Sequence, residues 1–229
     1  MTEEELIQHF PRLWHMAEDG SFESIRRHGL LSTTSLLDLY GIDGAERIAL
    51  ESQRRPQSVT ISRDGLPNAI VRDQKPMTES ALKKCLRNNM TPRQWFEILN
   101  ERAFFWLSRE RLRGLLGARA YRGRPQTVLT VDTAGLLNAH RACIELSPLN
   151  SGATIYKPQP RGRDTFLSVT DYPFDERRKT RAVDKSVVEL VVRGGVPDIS
   201  DHLIAAHRIH KGVRRELWRR PGTPADDEP

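Results

Sequence analysis

The run Val187-Val188-Glu189-Leu190-Val191-Val192 sets one carboxylate among five apolar residues. A segment this short and this rich in β-branched side chains reads as a buried strand. An ionised carboxylate inside it needs a partner or a chemical task, because burying the bare charge is costly. The counterpart lies upstream. Leu13-Trp14-His15-Met16-Ala17 reads as a short strand, and Phe22 to His28 as a helix ended by Gly29. A polar residue on a strand that leads into a helix stopping at glycine builds one wall of a cleft.

At 229 residues with 38% hydrophobic content, the chain suits one domain with its own core. Its pattern is α+β. Helices are expected over 3–10, 22–28, 33–39, 45–53, 79–87, 92–99 and 109–116. Ser32 or Thr33, Thr91 and Ser108 serve as N-caps, Pro92 as a first helical residue and Gly29 as a left-handed stop. Strands are expected near 13–17, 59–62, 103–107, 127–132, 187–192 and 203–209, with 142–146 paired to 127–132. The expected architecture is a single catalytic domain over residues 1–215, built on a central mixed β-sheet. Residues 216–229, with Pro221-Gly222-Thr223-Pro224, are expected as a disordered tail. The polar stretch from Ser147 to Lys185 holds Pro148, Gly152, Pro158, Pro160, Gly162 and Pro173. A loop of that length is functional or disordered.

Several classes are disfavoured. No apolar run approaches a membrane span. The start, Met1-Thr2-Glu3-Glu4-Glu5, lacks the basic-then-apolar layout of a signal peptide, so the cytoplasm is the expected location. Cys85 and Cys143 form no framework, which suits a reducing compartment. His202, His207 and His210 do not make a His-Glu-x-x-His motif, and no Cys/His group has zinc spacing, so no metal is expected. The net charge is +6, with 29 Arg against 7 Lys. Guanidinium forks match phosphates, so the bias suits nucleic acid; a GC-rich genome would produce the same bias. Arg161 with Arg163, and Arg177-Arg178-Lys179 with Arg181, flank loops where they can grip phosphates. DNA is the expected partner, with no membrane and no obligate protein partner.

Leu13 to Leu30 resembles the opening of DarT-type ADP-ribosyltransferases, in which a His-x-Thr signature on a strand precedes a helix ending in Gly-Leu. Val183 to Ile204 resembles the closing strand of that family, where a Glu sits within an apolar strand and a Val-Pro segment follows. The resemblance implies an ADP-ribosyltransferase-like fold, with His15 at the nicotinamide-side ribose and Glu189 as the catalytic glutamate. Ala17 stands where the family has Thr, and Ser21 where it tends to have Asn. Those departures argue against nicotinamide adenine dinucleotide (NAD) as the ligand, so no cofactor is expected, or NAD if the transferase reading holds. Val71-Arg72-Asp73-Gln74, Phe104-Phe105-Trp106 and Leu149-Asn150-Ser151-Gly152 resemble segments of stand-alone bacterial proteins of poorly defined function. The whole is also similar to bacterial phage-defence glycosylases that excise modified bases from viral DNA.

One chemistry unites these likenesses. Breaking a C1′–N bond builds positive charge on the sugar, and a fixed carboxylate beside that carbon stabilises it. Glu189 is the candidate for that role, against a solvent-facing glutamate or one paired with an arginine. His15 can bond a ribose hydroxyl or a phosphate, or simply pack. Arg72 with Asp73 is a substrate clamp or an ion pair. Asn150 and Ser151 read a base edge or close a turn. Phe104 and Trp106 suit the core. Tyr121, Tyr156, Phe166 and Tyr172 lie among Arg and Gly in loops, where aromatics can stack an extruded base; Tyr156 and Tyr172 are the preferred pair, beside Arg161 and Arg163. The expected function is a DNA glycosylase leaving an abasic site; the alternative is a DarT-type transferase acting on nucleic acid.

Overall fold

The computed structural model describes residues 1–155, 157–225 and 229. In chain order the first part contains α1 (Glu3–His9), β1 (Arg12–Glu18), α2 (Phe22–His28), β2 (Leu30–Leu31), α3 (Thr33–Tyr40) and α4 (Gly44–Glu51). The hairpin of β3 (Val59–Ile61) and β4 (Ala69–Val71) follows, then α5 (Glu79–Cys85), α6 (Pro92–Asn100), β5 (Arg102–Trp106) and α7 (Arg109–Leu116). The second part runs β6 (Gln126–Asp132), α8 (Thr133–His140), β7 (Ile144–Ser147), β8 (Leu167–Ser168), α9 (Phe174–Arg178) and α10 (Val183–Ser186). It ends with β9 (Glu189–Arg193), β10 (Gly195–Val196), α11 (Ile199–His202), β11 (Leu203–His210) and β12 (Val213–Arg219).

Short polar side chains begin most of the longer helices. Ser32, Thr91, Ser108 and Asp132 each accept a backbone N–H from the first turn of α3, α6, α7 and α8. Thr91 and Gln94 close a reciprocal capping box, with Pro92 at the helix start.

Eight strands form one sheet in the order β12-β11-β6-β1-β5-β9-β7-β8. Its pairings are all antiparallel, so the fold is α+β in a single domain, and the expectation of a mixed sheet is corrected. Helices do separate several strands in sequence, which suggests parallel crossovers. The chain instead brings β1 between β5 and β6, and orientation is settled by those long returns. The strand at Ile144–Ser147 pairs with β8 and β9 rather than with β6, a second correction.

The pleat divides the core. Leu13, Phe105, Leu129, Leu190 and Val192 face one side, against Leu6 of α1, Leu136 of α8 and Ile199 of α11. Phe104 and Val191 meet Trp95 and Phe96 of α6 on the other side, while Trp14, Met16 and Val128 meet Leu112 of α7 and Tyr121. A smaller cluster of Leu37, Tyr40, Leu50, Ile61 and Val71 binds α3, α4 and the β3–β4 hairpin together.

Two further expectations change. The disordered tail from residue 216 is overturned for residues 216–219, which belong to β12, hydrogen-bonded along β11. Lys211 and Gly212 have φ of 49° and 79°, and they join His210 to Val213 in the two-residue turn that matches strand twist. The stretch 147–185 is tied to the core at several points: Phe166, Val169, Tyr172 and Phe174 are buried. No described helix is long and apolar enough to cross a membrane.

Candidate active site

β1 pairs with β6 over seven positions but with β5 at only one, Trp14 opposite Trp106. The sheet therefore opens between β1 and β5, and a cavity of about 450 Å³ lies against that opening. This falls within the range of small-molecule sites. The sheet supplies His15, Phe104, Trp106 and Glu189 to its lining; the segment after β4 supplies Arg72 and Asp73.

The opening decides which side chains meet. Residues paired across antiparallel strands share a face, so Glu189 lies on the face of its partner Trp106, and Trp106 on that of Trp14. His15, next along β1, lies on the opposite face by the pleat. Both nevertheless line the same cavity.

Glu189 opens β9 and is buried. Its Oε2 accepts hydrogen bonds from the backbone N–H of Ser151 at 3.1 Å and from the Ser151 hydroxyl at 2.7 Å. Among the described residues, no hydrogen bond to its Oε1 is found. Burial pushes the carboxyl up to about 7, against the opposing pull of the Ser151 hydrogen bonds and of Arg161 and Arg111. The loop carrying Ser151 is itself anchored by Arg161, which is buried and donates to the Ser151 carbonyl at 2.8 Å.

His15 is tied across the opening: its Nδ1 lies 2.8 Å from the Phe104 carbonyl oxygen. A carbonyl only accepts, so Nδ1 carries the proton and Nε2 of the neutral ring keeps a lone pair. Burial lowers the imidazole pKa to about 4, the Phe104 hydrogen bond opposing and the Arg72 charge adding to the shift. At neutral pH His15 is an acceptor and not a proton source.

Arg72 and Asp73 both line the cavity, and they do not pair with each other. Arg72 donates to the Met16 carbonyl and to Gln126 Oε1 at 2.9 Å, with its guanidinium 4.8 Å from the centre of the Tyr121 ring. Asp73 accepts the Tyr121 hydroxyl at 2.9 Å and pairs with Lys75 at 3.3 Å. Burial works to raise the Asp73 pKa, but the Lys75 and Tyr121 hydrogen bonds and the Lys75 charge outweigh it, and the net shift is down.

Asn150 lines the cavity, while Ser151 acts on Glu189 from behind. Arg161 and Arg163 do not line it; Arg163 is exposed, and the buried Arg161 is a brace rather than a phosphate contact. Tyr172 is no stacking platform, since it is buried with its hydroxyl bonded to the Ser186 carbonyl at 2.6 Å. Tyr156 lies outside the described residues.

Two cavity residues escaped the sequence reading. Glu18, at the end of β1, is buried, accepts from Arg124 at 2.8 Å and from the Ser58 hydroxyl at 2.9 Å. Arg55 is buried and supports the segment after β4 through the Arg72 carbonyl at 3.0 Å and Asn100 at 2.9 Å. The Glu18-Asp19 pair at a strand end was a legible signal; Arg55 lay in a turn-rich stretch with none.

Fold and site together define a single-domain α+β protein whose opened antiparallel sheet houses a buried carboxylate and a neutral histidine. The chain belongs to the family of unknown function DUF7002, whose model matches residues 11–203. The match takes in β1 to β10, and with them His15 and Glu189. No curated protein matches the chain.

Proposed function

We propose that the protein is a DNA glycosylase that breaks the C1′–N bond of a base turned out of the helix and leaves an abasic site. The observation that carries this reading is Glu189: a buried carboxylate with a pKa of about 7, oriented by Ser151, at a cavity large enough for a nucleotide unit. When ionised it supplies negative charge where the sugar becomes positive. Its Oε1 takes a proton from water as the water oxygen bonds to C1′; the C1′–N electron pair leaves with the base, which is protonated from solvent. A neutral His15 accepts a hydrogen bond from a base amine or a sugar hydroxyl, which positions the unit without protonating it.

A second reading, a DarT-type transferase, uses the same carboxylate and carbon but replaces water by a nucleic-acid base and takes the sugar from NAD. It is supported by the His15 strand and the Glu189 strand bordering one cavity. The experiment that separates them incubates the protein with genomic DNAs of varied base modification, with and without NAD. Free base and alkali-labile sites formed without NAD are expected. Glu189→Gln keeps the shape and should lower the rate roughly 10²–10³-fold in a folded protein. A mass gain on DNA that requires NAD would transfer the assignment to the second reading, and an unimpaired Glu189→Gln would overturn both.

A further inference from the structure

Behind the wall formed by α2 and β2, three side chains unrelated to the cleft chemistry converge. His140 ends α8, His202 ends α11, and Asp198 stands just before α11. Their ligand-type atoms all lie within 4.8 Å of one another. His140 Nε2 lies 2.6 Å from one Asp198 carboxylate oxygen, and His202 Nε2 lies 3.2 Å from the other. The two imidazoles meet edge to face, with centroids 5.6 Å apart.

We propose that His140, Asp198 and His202 form a binding site for a divalent transition-metal ion, with Zn²⁺ as the expected occupant. Two imidazole nitrogens and one carboxylate oxygen form a three-ligand protein set of a kind zinc accepts, with water in the fourth position. Zinc ligands lie about 2.0–2.2 Å from the metal, so three of them around one ion stand somewhat over 3 Å apart. Small side-chain movements bring the present spacing to that value. His202 is nearly buried, whereas Asp198 is 39% exposed. The group is thus fixed on the protein side and open to solvent on the other. In the metal-free state each Nε2 carries the proton donated to Asp198; on binding, that proton passes to Nδ1 through solvent and Nε2 becomes the ligand.

The ligands come from residues far apart in the chain, 140 against 198 and 202, so the ion would fasten α8 to α11. It would also hold the neighbouring Pro197, whose backbone lies so close to Gly29 that a Cβ there would sit 2.5 Å from the Pro197 Cα. Gly29 lines the cleft, so the ion braces one cleft wall from outside. This inference stands apart from the glycosylase reading.

The test titrates full-length, tag-free, chelator-treated protein with Zn²⁺ alone by calorimetry, and with Co²⁺ followed by visible absorption. One ion per chain is expected, with a Co²⁺ spectrum of nitrogen and oxygen ligands and a raised Tm. His140→Ala and Asp198→Asn, checked as folded by circular dichroism, should weaken binding roughly 100-fold or more. Absence of saturable binding to the native protein overturns the proposal. So does a thiolate charge-transfer band, which would place the ion at Cys85 or Cys143, or undiminished affinity in the folded variants. Should the variants fail to fold, the native stoichiometry and Co²⁺ spectrum decide alone.

Discussion

At the scale of the residue, Glu189 carries a cost that its surroundings only partly offset. Its ordinary pKa of 4.5 becomes about 7 in the fold, so between these values the folded state holds a proton that the unfolded chain has released. Stability therefore falls as pH rises through that window, by about 3 kcal/mol once pH exceeds 7. Glu189→Gln removes this dependence: the variant should be more stable than the native chain at pH 8 and equal to it near pH 4, as urea titrations at several pH values would read. The proposed activity has the opposite slope. It needs the ionised form, so the rate should rise with pH to a plateau above about 7. His15 shows the reverse linkage. Its value falls from 6.5 to about 4, so the stability it contributes is complete above pH 6.5 and is lost as pH falls toward 4. A Glu189→Gln chain, from which the opposing Glu189 dependence is gone, whose stability stays flat from pH 6.5 to 4 would contradict the half-buried, neutral His15.

At the scale of the element, the turn from α2 into β2 shows how a correct residue assignment can rest on a different cause. Gly29 does end α2, but its φ of 91° and ψ of 166° are not the left-handed cap that a Gly stop implies. That region is essentially open to glycine alone. The Pro197 backbone then occupies the space of any Cβ, at 2.5–2.9 Å. Gly29→Ala should cost about 3 kcal/mol or more, since backbone strain and steric overlap add and neither atom set can swing away. Thermal unfolding measures this. A loss under about 1 kcal/mol, the ordinary cost of Gly→Ala at a merely unusual φ, would show that the wall can move aside. The edge hairpin teaches a similar lesson. Val213–Arg219 exposes a mixture of Arg, Glu and apolar side chains, the pattern of a protected edge strand, and it is easily read as a polar tail.

At the scale of the whole molecule, the positive charge divides into structural and exposed guanidinium groups. Arg161 is buried against the Ser151 carbonyl, and Arg177 donates to the Ser186 carbonyl at 2.7 Å and to Pro148 at 3.1 Å. Arg163, Arg178 and Arg181 are exposed. Neutralising these three should weaken DNA binding on every sequence and flatten its salt dependence by about one unit per lost phosphate contact. Arg161→Ala should instead lower Tm and activity while leaving that slope unchanged. Binding isotherms from low to high salt distinguish the two sets; an unchanged slope in the triple variant would leave the arginines without a role in DNA contact. What the sequence determined by itself was local: the helix starts at Ser32, Thr91 and Ser108, and the buried strand around Glu189, because caps and hydrophobic runs act over a few residues. The tertiary structure decided what depends on distant partners. It placed His15 and Glu189 on opposite pleat faces yet beside one cavity, through a sheet joined at a single pair between β1 and β5. It turned Tyr172 and Arg161 from surface contacts into interior supports, because burial is set by what the returning chain packs on them. It also gathered His140, Asp198 and His202 across 62 residues of chain, a spacing that no local pattern could reveal.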